Sequence, residues 1–368
     1  MLLAPHRSTA VQRRVLPSVA LAVSIALAGC GQGPQPGSPT PAPPSARSNA
    51  PATPSAPASS PSTPAASAVA PPSASAAPVT APVATGVPGF RVASSLVRLP
   101  SPRSRAVALA FGSGILVCGG LTTTGATTGS IVRIDLPTGR VSQAGALASP
   151  VHDAGGATLG GTGLVVGGGR FRPGAVVQRV AAAGASSTVG RLPALRADLV
   201  AVSVGGQVIV VGGGTTTRYD DRVLATSDGS HFRTIARLVH GVRYPAVGVV
   251  GGQIYVVGGS TAAGDSRDIQ VVDPTTGTVR IAGRLSRGLS HASAFVIGGA
   301  LLIAGGRTAG VAQDGLWRFD PATAALARVG RLPYPVSDMA AVVAGGVGYL
   351  IGGEARRPLA SVITVTVQ

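Results

Sequence analysis

RLSRGLSHASAFVIGGALLIAGG, Arg284 to Gly306, holds the marks that decide the fold of this chain. After Arg284-Leu285, the run His291 to Ile297 breaks at Gly298-Gly299, and Leu301 to Ala304 ends on Gly305-Gly306. Two apolar runs of strand length joined by a glycine pair read as an antiparallel hairpin. Outward in both directions the pattern recurs. Apolar runs end in Gly119-Gly120, Gly167-Gly168, Gly212-Gly213, Gly258-Gly259, Gly305-Gly306 and Gly352-Gly353, at steps of 48, 45, 46, 47 and 47 residues. Starting 21 residues before each pair stand Arg98-Leu99, Ala146-Leu147, Arg191-Leu192, Arg237-Leu238, Arg284-Leu285 and Arg331-Leu332. Two marks holding one offset through six copies of this period describe four-stranded units arrayed in a ring.

The rest of one unit follows from its punctuation. Leu316 to Phe319 reads as a third strand, Asp320-Pro321 as a turn, and Leu326 to Val329 as the outer strand. The last unit stops after a third strand, Ser361 to Val367, whereas Phe90 to Arg98 is an outer strand with no inner ones before it. Together they make one blade, which leaves no free sheet edge. The expected fold is all-β: a six-bladed β-propeller of four-stranded blades, the last closed by the N-terminal outer strand.

In these units (strand, Gly-Gly, strand with an Asp-Pro turn, outer strand) residues 89 to 368 resemble the kelch repeat family. The resemblance rests on the glycine pairs and on the turns at Ile134-Asp135, Asp273-Pro274 and Asp320-Pro321. The chain departs from the family where its outer-strand Trp is replaced by Val141, Phe232, Val279 and Leu326. The third unit carries Thr226-Ser227-Asp228-Gly229, similar to a sialidase-type Asp box and read here as a hairpin turn. Galactose oxidase, whose central domain is of this type, uses a copper site of Tyr, His and Cys. Here the one thiol after Cys30 is Cys118, inside the strand-like run Ile115 to Cys118, so that activity is not expected.

Composition divides the rest of the chain. Residues 1–29 read as a lipoprotein signal peptide: Arg7, Arg13 and Arg14, an apolar stretch from Val15 to Ala28, then Leu27-Ala28-Gly29-Cys30, which resembles a lipobox with Cys30 as the lipidated residue. Residues 30–88 are a Pro/Ala/Ser/Thr-rich linker with 16 of the 30 prolines and a single charge, Arg47, so they bury no core. The expected location is the outer face of the cell membrane, held by the lipid anchor. Every basic residue is arginine; from Gly89 onward 26 Arg stand against 13 acidic residues, a net charge near +13. Such a domain favours anionic partners. Nucleic acid is not expected, because aromatic residues are too sparse for stacking platforms.

The register also assembles a candidate site. Fourteen residues before each glycine pair stand Arg105, Asp153, Asp198, Tyr244, His291 and Asp338. His152 and Arg243 stand one position earlier in their units. The longer loops, after the glycine pairs and before each first strand, gather on one face, so these residues should ring its central mouth. A structural role, satisfying strand backbone or bridging blades, competes with ligand binding for this ring. No spacing suits a metal, and no cofactor is expected. Two functions remain open. One is a non-catalytic module binding a protein or a cell-wall glycan. The other is an enzyme similar to the N-acetylneuraminate epimerases, with Arg105 or Arg243 holding an anionic sugar and His291 or His152 moving a proton.

Overall fold

The computed structural model describes residues 89–368. The expected signal peptide, Cys30 and the linker lie outside the described residues. Six four-stranded antiparallel sheets follow one another in sequence order. Blade 1 runs from the inside outward as Val107–Phe111, Gly114–Cys118, Ser130–Asp135 and Val141–Ala146. Blades 2, 3 and 4 repeat the order over 155–191, 197–237 and 246–284. Blade 5 is Ser293–Ile297, Ala300–Ala304, Gly315–Asp320 and Ala325–Arg331. Blade 6 is Ala340–Ala344, Val347–Ile351 and Ser361–Val367, completed on the outside by Phe90–Arg98. Phe90 pairs with Val367 and Arg98 with Ser361, so the expected split blade is present. The molecule is a six-bladed β-propeller.

Alternation of apolar residues along the strands puts one apolar set on each sheet face, and neighbouring sheets bury those sets against each other. Six hydrophobic clusters result, one between each pair of adjacent blades. Leu109, Leu116, Ile131 and Val165 fill the gap between blades 1 and 2, and Cys118 lies in that same cluster. Burial pushes its thiol up to about 12, which makes it an inert core residue. Phe295, Leu302, Leu316, Leu350 and Ile363 fill the gap between blades 5 and 6.

Both marks of the repeat have a mechanical cause. The leucine of each Arg-Leu mark is buried, and its amide donates to a carbonyl just before a third strand, as Leu285 does to Arg267 (2.7 Å). The second glycine of every pair donates its amide to the next blade: Gly120 to Val151, Gly168 to Arg196, Gly213 to Val242, Gly259 to Leu289, Gly306 to Val336, and Gly353 back to Arg103. This ring of hydrogen bonds needs close approach at positive φ. A Cβ on Gly258 (φ 60°) would lie 2.1 Å from the Leu289 carbonyl oxygen, and one on Gly259 (φ 96°) 2.9 Å from that of Arg243. The Asp-box-like segment is a hairpin turn, as expected, with the Asp228 carboxylate accepting the amides of Ser230 (2.7 Å) and His231 (2.8 Å).

Strand directions define two faces. The connections after the glycine pairs and those leading into each inner strand lie on the upper face. In blades 4 and 5 the former contain two-residue ladders, Ser260–Thr261 with Gly264–Asp265 and Arg307–Thr308 with Val311–Ala312. The chain enters at the lower face, where the amide of Gln368 donates to the carbonyl of Gly89 (2.9 Å).

Candidate functional site

All six ring residues sit at the mouth of the central cavity, just ahead of or at the start of the inner strands. Each has a left-handed backbone: Arg105 (φ 56°), Asp153 (55°), Asp198 (62°), Tyr244 (51°), His291 (55°) and Asp338 (56°). Such a conformation costs a non-glycine residue on the order of 1 kcal/mol. Six copies at one register identify an architectural cause rather than a local one. Each amide donates to the carbonyl of the ring residue in the preceding blade, from Asp153 to Arg105 around to Arg105 to Asp338, at 2.8 to 3.1 Å. The backbone thereby closes a six-membered hydrogen-bond ring around the axis, and the side chains are left free to differ.

Those side chains form ion pairs across blades. Arg105 Nη1 donates to Asp153 (3.1 Å) and to the Tyr244 hydroxyl (3.2 Å), while its Nε lies 3.7 Å from both Asp338 and Glu354. Arg243 pairs with Asp198. Asp338 is held by His291 Nδ1 (2.8 Å), Arg307 (3.0 Å) and the Ser337 hydroxyl (2.6 Å). Tyr244 stacks on His291 with centroids 3.7 Å apart, and the Arg105 and Arg243 guanidinium carbons lie 5.6 and 5.5 Å from the Tyr244 ring centroid. His152 is set aside, with its Nδ1 on the Thr127 hydroxyl (2.9 Å) and its Nε2 3.7 Å from Asp153. Below the ring the cavity, about 240 Å³, is walled by small or apolar residues such as Ala106, Gly156, Val200, Ala292 and Ala341.

Electrostatics split the acids. Burial pushes the Asp153 carboxyl up to about 8 against the pull of Arg105, with the charges of Asp198 and Asp338 adding to the rise. Burial would raise Asp338 too, but the hydrogen bond and charge of His291, with Arg105 and Ser337, hold it below its ordinary value. Burial and then Arg105 depress His152, leaving it neutral at pH 7. For Arg105, burial opposes the charge and is outweighed by Asp153 and Asp338, so its guanidinium stays charged. Because Asp153 keeps its proton in the folded state up to about pH 8 and loses it near pH 4 when unfolded, its contribution to stability falls as pH rises between those values. Asp153→Asn is therefore expected to flatten that part of the stability–pH curve, measured by urea melts at pH 4.5, 6 and 8.

Sequence reasoning missed two mouth residues, Arg307 and Glu354. Both stand two positions after the first glycine of their pairs and reach into the mouth, where Arg307 lies 3.3 Å from Glu354. The same register marked them, since that offset is uncharged in the other four units. It also missed Arg103 and Arg196, sixteen residues before their glycine pairs, where the other units carry Val or Leu. Both are buried. Among the described residues no group of three His, Cys, Asp or Glu has the geometry to hold a metal ion.

A ring of polar side chains over an apolar cavity, carried on a closed propeller, is an arrangement shared by binding modules and enzymes alike. The chain is a six-bladed propeller with a kelch motif: that family's profile matches residues 242–286, in and around blade 4. Its fold is similar to the solved structure of YjhT, with a TM-score of 0.62 and 14% identity, covering 74% of this chain and 99% of that one. At that identity the likeness concerns the fold. Comparison with curated proteins finds no match.

Proposed function

We propose that this protein is a membrane-anchored extracytoplasmic binding module that takes an anionic glycan or an acidic protein segment on its upper face, with the central mouth as the specific site. One observation carries this reading. The side chains of Arg105, Arg243 and Arg307 are 20, 21 and 25% exposed, whereas those of Asp153, Asp198 and Asp338, which pair with them, are 7, 3 and 3% exposed. An incoming ligand therefore meets guanidinium edges first, with their partner carboxyl groups packed behind them. Tyr244 and His291 offer a flat stacked surface between these cations. The segment before Gly89 joins the propeller at the lower face, which lets an N-terminal tether present the mouth outward. The expected result is a rise in melting temperature with glucuronate or N-acetylneuraminate at millimolar concentration, absent in Arg105→Gln and Arg243→Gln. The absence of such a shift, together with no crosslinked partner from whole cells, would sink the reading.

A second reading, sugar-directed catalysis, has one observation in its favour. His291, oriented by Asp338 through Nδ1, shares the cavity with Asp153, which carries a proton at neutral pH. A base and an acid would then face one ligand. Turnover of an anionic sugar lost in both His291→Ala and Asp153→Asn, with the sugar still bound by each, is the result that would favour it over simple binding.

A further inference from the structure

Seven exposed arginines on the upper-face loops have no counter-charge among the described residues. Arg356 and Arg357 lie in blade 6, Arg170 and Arg172 in blade 2, Arg218 in blade 3, Arg267 in blade 4 and Arg287 just ahead of blade 5; all are exposed. None of them joins any ion pair among the described residues, whereas Arg284, Arg307, Arg328 and Arg331 of blades 4 and 5 are all paired with acids. Blade 1, between blades 6 and 2, contributes an uncharged threonine-rich loop, Thr122 to Thr128. Five of the seven thus lie on one arc over blades 6, 1, 2 and 3, four of them in the two loops that flank blade 1. The lower face differs, since its hairpin turns carry Asp135, Asp228, Asp273 and Asp320.

Within the arc Phe171 is 90% exposed, with the Arg170 guanidinium 5.0 Å from its ring centroid. Its loop has a fixed base. The Gly174 amide donates to the Gly168 carbonyl (2.6 Å), Gly169 pairs with Pro173, and the Thr127 hydroxyl of blade 1 donates to the Arg170 carbonyl (3.3 Å). A large aromatic ring held in water between two unpaired cations marks a contact surface.

We infer that this arc is a docking surface for an anionic polysaccharide, a chain bearing a carboxylate or phosphate on its repeats, which crosses blades 6, 1, 2 and 3 with a sugar ring against Phe171. The inference rests on the binding-module reading and adds a second contact region to it. Charges on three of these four blades match a repeating ligand better than a compact one, because each exposed contact is weak alone and a chain makes several at once. A lone aromatic gives no run of stacking platforms for nucleic-acid bases.

The test uses the full chain carrying Cys30→Ser, with polygalacturonate, dextran phosphate and neutral dextran as probes at 0.15 M salt. Polygalacturonate separates a carboxylate ligand from the phosphate of dextran phosphate. Binding is expected to one or both anionic polymers and not to dextran. Arg170→Ala, Arg172→Ala, Arg356→Ala and Arg357→Ala combined should weaken it on the order of 50-fold, taking roughly threefold per exposed contact. Phe171→Ala should weaken it severalfold. The lower-face combination Arg140→Ala, Arg179→Ala, Arg233→Ala and Arg280→Ala removes the same charge and should leave binding unchanged. Equal losses from both combinations would show only the general field of a basic protein and overturn the inference. Preference for vesicles of anionic lipid over the polymers would overturn it as well. Arg105→Gln is expected to keep polymer binding, so failure of the arc and failure of the mouth read separately.

Discussion

Gly258→Ala is expected to abolish the folded state or to cost more than about 3 kcal/mol, whereas Gly252→Ala should cost only about 1 kcal/mol. Both residues have positive φ, 60° and 77°. Nothing lies within 4 Å of the Cβ position at Gly252, in the tight turn between the inner two strands of blade 4. At Gly258 a Cβ would strike the Leu289 carbonyl oxygen at 2.1 Å, and that carbonyl accepts the Gly259 amide (2.8 Å) that joins blade 4 to blade 5. Relief of the clash therefore requires the blades to part. The ring is closed, so blades 4 and 5 cannot part without opening another junction. Urea denaturation of the two variants separates this account from a cost set by backbone conformation alone, which would make them equal.

Asp220→Ala is expected to destabilise the fold by about 3 to 5 kcal/mol, the range for leaving a buried charge without its partner. The Arg196 side chain has no solvent exposure, and its guanidinium lies 2.8 Å from Asp220. Its Nη1 also donates to the carbonyls of Gly212 (3.2 Å) and Arg222 (3.0 Å), where it ties the glycine pair of blade 3 to its third strand. Burial lowers the Arg196 pKa to about 10 even with Asp220 present, so the charge is already held against a desolvation cost. Adding Arg196→Met to the Asp220→Ala variant should recover most of the loss by removing the orphaned charge. The equivalent residue in blade 1 sharpens the test. Arg103 is held by the carbonyls of Val117 (3.4 Å), Gly119 (3.3 Å) and Ser130 (3.1 Å), with no carboxylate in reach. If Asp220→Ala cost under about 1 kcal/mol, carbonyls alone would suffice at both sites.

The blade count was legible because each glycine pair marks a place where two backbones approach too closely for any Cβ. A steric requirement repeated six times leaves a residue-level trace. The split blade was legible for a related reason: an outer strand at Phe90 without inner partners, and inner strands at Ala340 without an outer one, complete each other. The candidate ring followed from the same register, and the structure brings Arg105, Asp153, Asp198, Tyr244, His291 and Asp338 to one cavity. Their shared left-handed backbone was not legible, since Arg and Tyr carry no trace of positive φ. Nor was the pairing among them. Arg105 meets Asp153, 48 residues away, and Tyr244, 139 residues away, and both contacts depend on side-chain reach across the axis.

By itself the sequence determined the architecture, because the contacts that close a propeller are backbone contacts, and they constrain residue type wherever the backbone is crowded. Only the tertiary structure decided the character of the mouth. Whether six polar residues pair or stand free depends on distances of a few ångströms between side chains from different blades. Those distances bury the acids and leave guanidinium edges toward solvent at the mouth. They also separate that neutralised centre from the arc of unpaired arginines on the rim, a difference that the net charge of the chain conceals.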